Sequence, residues 1–209
     1  MHYVGRWSAR LLALLGIELT QHGRVADGPL LLVGNHVSWL DILAINAVRP
    51  VRFVSKADVR AWPLLGWMVG CAGTLFIERE RKRDALRVVH QIAAALQQRQ
   101  IVAVFPEGTT GDGHALLPFH ANLLQAAIAT GAPVQPVALR YADRAAPVSA
   151  AAAYVGDMSL AQSIWRIVNA DGLRVDVALL APLPSAAAER RALAETLRAR
   201  IAAALGPPP

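Results

Sequence analysis

PLLLVGNHVSWLDILAINA, residues 29–47, joins two patterns at one corner. Pro29 to Val33 is a short uninterrupted apolar run, which predicts a buried strand ending at Gly34. Leu40 to Ala47 reads as a helix that stops before Pro50. Between them His36 precedes Asp41 by five positions. Positions five apart do not share a helix face. The two side chains meet only if His36 lies in the strand-to-helix turn and Asp41 in the first helical turn. A carboxylate on one imidazole nitrogen fixes the tautomer and stabilises the imidazolium formed when the other nitrogen takes a proton. Such a pair can deprotonate a hydroxyl near neutral pH. The same H-x4-D spacing also describes a helix-start charge beside a satisfied turn histidine. There is no G-x-S-x-G elbow, so a working pair would act on a substrate hydroxyl rather than a protein one.

Outward from the corner, strands are predicted at Arg52–Ser55, Thr74–Ile77, Ile101–Phe105, Val134–Tyr141 and Leu173–Leu180. Helices are predicted over 3–18, 83–99, 119–130, 158–169 and 186–204. Strands alternating with helices indicate an α/β fold, a single domain with a mixed β-sheet flanked by helices. In the 83–99 helix Leu86, Val89, Ala93 and Leu96 mark the inward face. In the first helix Tyr3, Val4, Trp7, Leu11, Leu14 and Leu15 form the apolar face, opposite Arg6 and Arg10. Residues 1–22 thus read as an N-terminal amphipathic helix, suited to lie in a membrane plane or to pack as an ordinary core helix. Residues 23–209 form the main domain. Pro133 and Pro136 argue for an edge or a bend in their strand.

Composition narrows the function classes. The chain has 209 residues, 55% hydrophobic and 17% charged, with mean hydropathy +0.36. No uncharged apolar run reaches the ~18–20 residues of a spanning helix. A net charge of +6 on so apolar a chain suits an anionic membrane surface. Nothing reads as a nucleic-acid recognition element, so no nucleic-acid partner is expected. Cys71 is the only cysteine, which excludes an intramolecular disulfide. The six histidines make no ligand-spaced pair, so no metal is expected. No P-loop or dinucleotide fingerprint occurs, and no cofactor is expected. No signal peptide is expected either, because Glu18, Gln21 and His22 follow the first apolar run.

Three further stretches carry chemistry. GTLFIER, residues 73–79, runs from Gly73 past Phe76 to Arg79. An arginine at a strand end suits phosphate or carboxylate recognition, although Arg81, Lys82 and Arg83 also make this a solvated charge run. FPEGTTGDG, residues 105–113, sets Pro106, Glu107, Gly108, Thr109 and Thr110 at the end of a buried strand. Gly108 permits close backbone approach, and Glu107 either hydrogen-bonds substrate hydroxyls or faces solvent. APVQPVAL, residues 132–139, is by itself structural.

Taken in order, NHVSWLD, GTLFIER, FPEGTT and VQPVAL resemble the four-block pattern of the glycerolipid acyltransferases, the 1-acylglycerol-3-phosphate acyltransferase family. Lys56 in FVSK and the PLLG of residues 63–66 resemble that family's linking segment, and the resemblance spans residues 28–141. It implies an acyltransferase domain, monotopic or peripheral on the cytoplasmic face of the cell membrane. It implies transfer of a fatty acyl chain from acyl-CoA or acyl carrier protein to a lysolipid hydroxyl, without an acyl-enzyme. By the same resemblance His36 is the general base and Asp41 its orienting partner, with Asn35 and Ser38 supporting the turn. Glu107, Gly108, Thr109 and Thr110 shape the acceptor pocket. Lys56 and Arg79 hold the acceptor phosphate. Gly73, Phe76, Pro106 and Pro136 support the site, and the apolar 62–72 segment guides the acyl chain. One position departs. The family's third block often reads EGTR, and here Thr110 replaces the phosphate-contacting arginine. The EGTT form resembles members acting on lyso-ornithine lipid or other lysophospholipids. Lysophosphatidate remains the leading acceptor. A thioesterase or lipase using water, and a non-catalytic membrane-binding module, are the competing readings.

Overall fold

The computed structural model describes residues 2–56, 75–77 and 82–206. In chain order the helices are α1 (His2–Leu14), α2 (Leu40–Val48), α3 (Lys82–Gln97), α4 (Gln125–Thr130), α5 (Leu160–Val168) and α6 (Arg190–Leu205). The strands are β1 (Glu18–His22), β2 (Leu30–Gly34), β3 (Arg52–Lys56), β4 (Leu75–Ile77), β5 (Ile101–Val104), β6 (Val134–Ala142) and β7 (Arg174–Leu179). A short 3-10 turn, Ala121–Leu124, leads into α4. Among the described residues the strands form one sheet in the order β1-β7-β6-β2-β5-β3-β4. All pairings are parallel except β6 with β7, so the sheet is mixed as the sequence predicts.

β2 is buried at every position because both sheet faces are covered. Leu30 and Leu32 enter one cluster with Leu12 of α1, Leu43 of α2 and Ile167 of α5. Leu31 and Val33 enter another with Ile92 of α3, Ala127 of α4 and Leu197 of α6. The period-2 alternation of the strand thus divides one apolar run between two cores. Leu30 to Val33 are each 0% exposed. Full burial of such a side chain contributes about 1.5–3 kcal/mol.

Four expectations need correction. The first helix ends at Leu14, not at 18. Gly16, at φ +75, closes it: its N–H meets Ala13 O and the Ile17 N–H meets Leu12 O, the bonds of a left-handed C-terminal cap. The freed residues Glu18–His22 become β1, which pairs with β7 over five positions. The contact face of α1 is also rotated. Gly5, Ser8 and Leu12 are its buried residues, while Tyr3 and Leu14 are 84% and 81% exposed. A Cβ on Gly5 would stand 2.9 Å from Pro50 Cγ and 3.1 Å from Asn46 O, so small residues set the close packing of α1 on α2. In α3 one predicted position departs: Leu86 is 64% exposed, whereas Leu96 is buried and Val89 and Ala93 pack partly buried against the core. Finally, Pro136 lies in an interior strand, between β2 and β7. Its missing N–H leaves Leu180 O without its ladder donor, and Gln135 Nε2 supplies one at 2.8 Å. The Gln135 side chain also gives to Arg24 O and accepts from Ala26 N.

Candidate active site

β2, β5 and β6 run parallel or side by side through β2, with Val33 level with Val104 and Gly34 level with Val137. Their carboxyl ends therefore open onto one region, where parallel α/β sheets place ligands. His36 follows β2, Phe105 follows β5, and Leu139 and Tyr141 lie near the end of β6.

His36 sits in the turn and Asp41 at the second position of α2. His36 Nδ1 is 2.7 Å from Asp41 Oδ2. That same oxygen accepts the backbone N–H of Val37 at 2.8 Å and of Ser38 at 3.0 Å. The turn wraps its own amides around the carboxylate, at a helix N-terminus that favours negative charge. Asp41 Oδ1 accepts the Tyr141 hydroxyl at 2.7 Å. Asp41 is fully buried, while the imidazole keeps 21% of its surface exposed. Among the described residues no hydrogen-bond partner meets His36 Nε2. Burial, then the charge and hydrogen bond of Asp41, hold the Tyr141 phenol well above its ordinary range.

Phe105 forms the floor. Its ring stacks on His36 with centroids 4.2 Å apart and planes 5° apart, and it packs in turn on Phe53. Gly34 makes room for it: a Cβ there would stand 3.3 Å from the Phe105 ring. Asn35 faces away from the imidazole into β6, giving Nδ2 to Leu139 O at 2.9 Å and taking Leu139 N–H on Oδ1 at 2.8 Å. Ser38 is fully buried, and its hydroxyl has no partner among the described residues.

Glu107 is buried and holds backbone on both sides. Oε1 accepts the His36 N–H at 2.8 Å and Oε2 the Leu117 N–H at 2.9 Å. Burial raises its carboxyl above the ordinary value, and those two N–H groups pull it partly back. Gly108 turns the chain at φ +74, its N–H on Phe105 O. Pro106 is buried and its carbonyl takes His120 N–H. Thr109 is exposed. The Thr110 hydroxyl is committed to Tyr154 O, and Tyr154 N–H returns to Val37 O at 3.0 Å. Gly111 N–H closes on His36 O at 2.7 Å. Lys56 ends β3 level with Ile77, and Phe76 in β4 is level with Ser55. Gly73, Arg79 and the 62–72 segment lie outside the described residues.

The sequence reading passes over Tyr141, Phe105 and Tyr154. Tyr141 had a usable signal: a phenol in an apolar strand needs a hydrogen-bond partner once buried. Phe105 and Tyr154 act through contacts distant in sequence and have none. Chemically, the corner offers an imidazole oriented at Nδ1 and open at Nε2, the arrangement of a general base. Among the described residues no group of three His, Cys, Asp or Glu side chains converges as a metal site.

Comparison with known proteins agrees with this frame. Residues 16–140 match the model of the acyltransferase family. The chain is 40% identical over 199 residues to a lyso-ornithine lipid O-acyltransferase of Pseudomonas aeruginosa, covering 95% of this chain and 76% of that one. It is 38% identical over 193 residues to a 1-acyl-sn-glycerol-3-phosphate acyltransferase of Neisseria gonorrhoeae, covering 90% and 75%. The crystal structure of a 1-acyl-sn-glycerophosphate acyltransferase of Thermotoga maritima shares the fold, with TM-score 0.71 at 18% identity over 98% of this chain and 77% of that one. The chain described here, with its His-Asp corner at the carboxyl end of a mixed sheet, belongs to the acyltransferase family.

Proposed function

We propose that this protein is an O-acyltransferase that moves a fatty acyl chain from acyl-CoA or acyl carrier protein to the free hydroxyl of a lysolipid. The observation that carries the reading is the 2.7 Å contact of His36 Nδ1 with the buried Asp41 carboxylate, which leaves Nε2 open. Nε2 takes the proton of the lysolipid hydroxyl as its oxygen bonds to the thioester carbonyl carbon. The tetrahedral adduct then expels the thiolate by breaking the C–S bond. The imidazolium returns its proton to that sulfur, and Asp41 stabilises the imidazolium in between. The acyl group passes directly, without an acyl-enzyme.

The leading acceptor is 1-acyl-sn-glycerol-3-phosphate. One observation favours lyso-ornithine lipid as a second: position 110 carries a threonine whose hydroxyl is spent on Tyr154 O, with no cation there to meet a terminal phosphate. A peripheral seat on the cytoplasmic face of the membrane fits the exposed Tyr3 and Leu14 of α1 beside exposed Arg6 and Arg10. Among the described residues no helix is long and apolar enough to cross a bilayer.

One assay addresses the whole reading: a lysolipid panel presented on anionic phospholipid vesicles, with both donor types, for the wild type and His36→Ala. The expected result is acyl transfer by vesicle-bound protein and a fall of about 10²–10⁴-fold in the variant at unchanged thermal midpoint. Most activity surviving in His36→Ala sinks the mechanism. Fatty acid release that ignores the acceptor makes the protein a thioesterase. A preference for lyso-ornithine lipid replaces the leading acceptor, and failure to sediment with vesicles removes the membrane seat.

A further inference from the structure

Arg140 lies on β6 between Leu139 and Tyr141, which are both buried in the cluster beneath α1 and α2. Strand alternation turns the arginine to the opposite face of the sheet, against α6. There it lines a cavity of about 240 Å³ together with Gly113, Leu116, Val148, Arg198 and Leu205. Arg140 is half-buried, yet among the described residues it makes no hydrogen bond and no ion pair. Its cross-strand neighbour is Asp176, whose Oδ1 lies 3.9 Å from His22 Nε2 and which makes no ion pair with Arg140 among the described residues. No acidic residue lines the cavity. Arg198 is held in place by giving Nε to Leu117 O at 3.1 Å and Nη2 to Leu116 O at 2.8 Å. His114 adds a third basic side chain at the wall. Two guanidinium groups lining one cavity with no acidic side chain in its wall repel each other, a cost that an anion between them offsets.

The cavity adjoins the candidate active site. Gly111 donates to His36 O, and Gly113, two residues on, is in the cavity wall. Two residues of extended chain span roughly 7 Å. A Cβ on Gly113 would touch Val148 at 3.2 Å and Val37, the residue after His36, at 3.6 Å.

We propose that this cavity is an anion site that binds a phosphate ester of a substrate, with Arg140 and Arg198 as its cationic ligands. A planar guanidinium matches a phosphate with two parallel hydrogen bonds. Naming the source rests on the acyl-transfer reading. Either the lysolipid headgroup or the phosphorylated pantetheine arm, common to acyl-CoA and acyl carrier protein, supplies the group. The His36 ring stacks on Phe105, which packs against the cluster on the other sheet face. A phosphate across the sheet from the imidazole suits a long donor arm better than a phosphate one carbon from the reacting carbinol.

A purely structural role competes: Arg140 lies under the last turn of α6, with its Nη2 3.7 Å from where a Cβ on Gly206 would stand, and a cation is favourable at a helix C-terminus. Calorimetric titration of the full chain separates the two, using 4′-phosphopantetheine, unphosphorylated pantetheine and glycerol 3-phosphate as probes. The wild type is expected to bind phosphopantetheine and not pantetheine. Arg140→Gln should weaken that binding about tenfold or more, and Arg140→Lys less. Glycerol 3-phosphate binding that Arg140→Gln abolishes supports the anion site and assigns it to the headgroup. Binding unchanged in Arg140→Gln, with only a lowered thermal midpoint, overturns the proposal, as does a wild type that binds no phosphate probe. If Arg140→Gln does not fold, Arg198→Gln on the exposed side of α6 takes its place under the same criteria. No turnover is read, so failure of the acyl-transfer reading leaves this test standing.

Discussion

The corner at residues 34–41 and the loop at residues 105–117 each bury a carboxylate, and each uses it in its own way. Asp41 collects a side-chain network: the imidazole and two amides of its own turn on Oδ2, and the Tyr141 phenol on Oδ1. Glu107 collects backbone only, one amide from each region, a different one on each oxygen. The first arrangement orients a group that can move a proton. The second pins the main chain from which that group hangs. Two buried carboxylates about the same histidine thus hold different partners, one the imidazole itself and the other backbone alone, and removal of the negative charge should cost different things at each.

Asp41→Asn tests the chemical half and carries the largest expected effect. An asparagine can set its oxygen toward the Val37 and Ser38 amides and the Nδ1 proton, and the Tyr141 hydroxyl can rotate to accept from the new amide. The geometry survives while the charge that stabilises the imidazolium is lost. Turnover should fall about 10²–10⁴-fold, with only about 1–2 kcal/mol lost in denaturant unfolding. Collapse of the fold on this substitution would show that Asp41 is structural first. Glu107→Gln tests the positional half. Its two oxygens face two different amides, so one N–H must confront the new NH₂ group. Stability should fall by about 3 kcal/mol, with activity following the folded fraction. If the variant instead stays as stable as the wild type while acceptor KM rises, Glu107 acts on the acceptor as the family resemblance implies, and the division fails.

The corner was legible because its information is local: an apolar strand, a glycine, then a helix, with both chemical side chains inside nineteen residues. The mixed α/β frame was legible for the same reason, element by element. What escaped depends on partners far along the chain. β1, ELTQH, has no apolar alternation and is an edge strand that exists because β7 offers it a parallel ladder. Pro136 reads as an edge signal, and only the Gln135 side chain, filling the missing donor to Leu180 O, admits it to the sheet interior. The face of α1 was misread by about one residue, because Gly5 and Ser8 pack where larger apolar residues were expected. Glu107 was read as a substrate or solvent contact because nothing in FPEGTT shows that the His36 amide will lie above it.

Tyr141→Phe sharpens the contrast at its smallest scale. The phenol donates to Asp41 and to nothing on the loop, so the substitution trims the corner network and leaves the loop's amide clamp intact. Asp41 Oδ1 would lose its donor in a fully buried place, for about 1–1.5 kcal/mol near neutral pH. The pH dependence gives the finer test. The folded-state phenol is held well above its unfolded value of 10.0, by burial first and Asp41 second. The folded protein therefore keeps a proton that the unfolded chain releases. Its stability contribution is whole below pH 10 and is lost as pH rises from there toward the folded value. The wild type should thus lose stability above pH 10 faster than Tyr141→Phe, and the gap between the two should narrow. Parallel alkaline curves would mean that the phenol ionises as easily folded as unfolded. The Asp41–Tyr141 bond would then not be the closed contact that separates this corner from the loop.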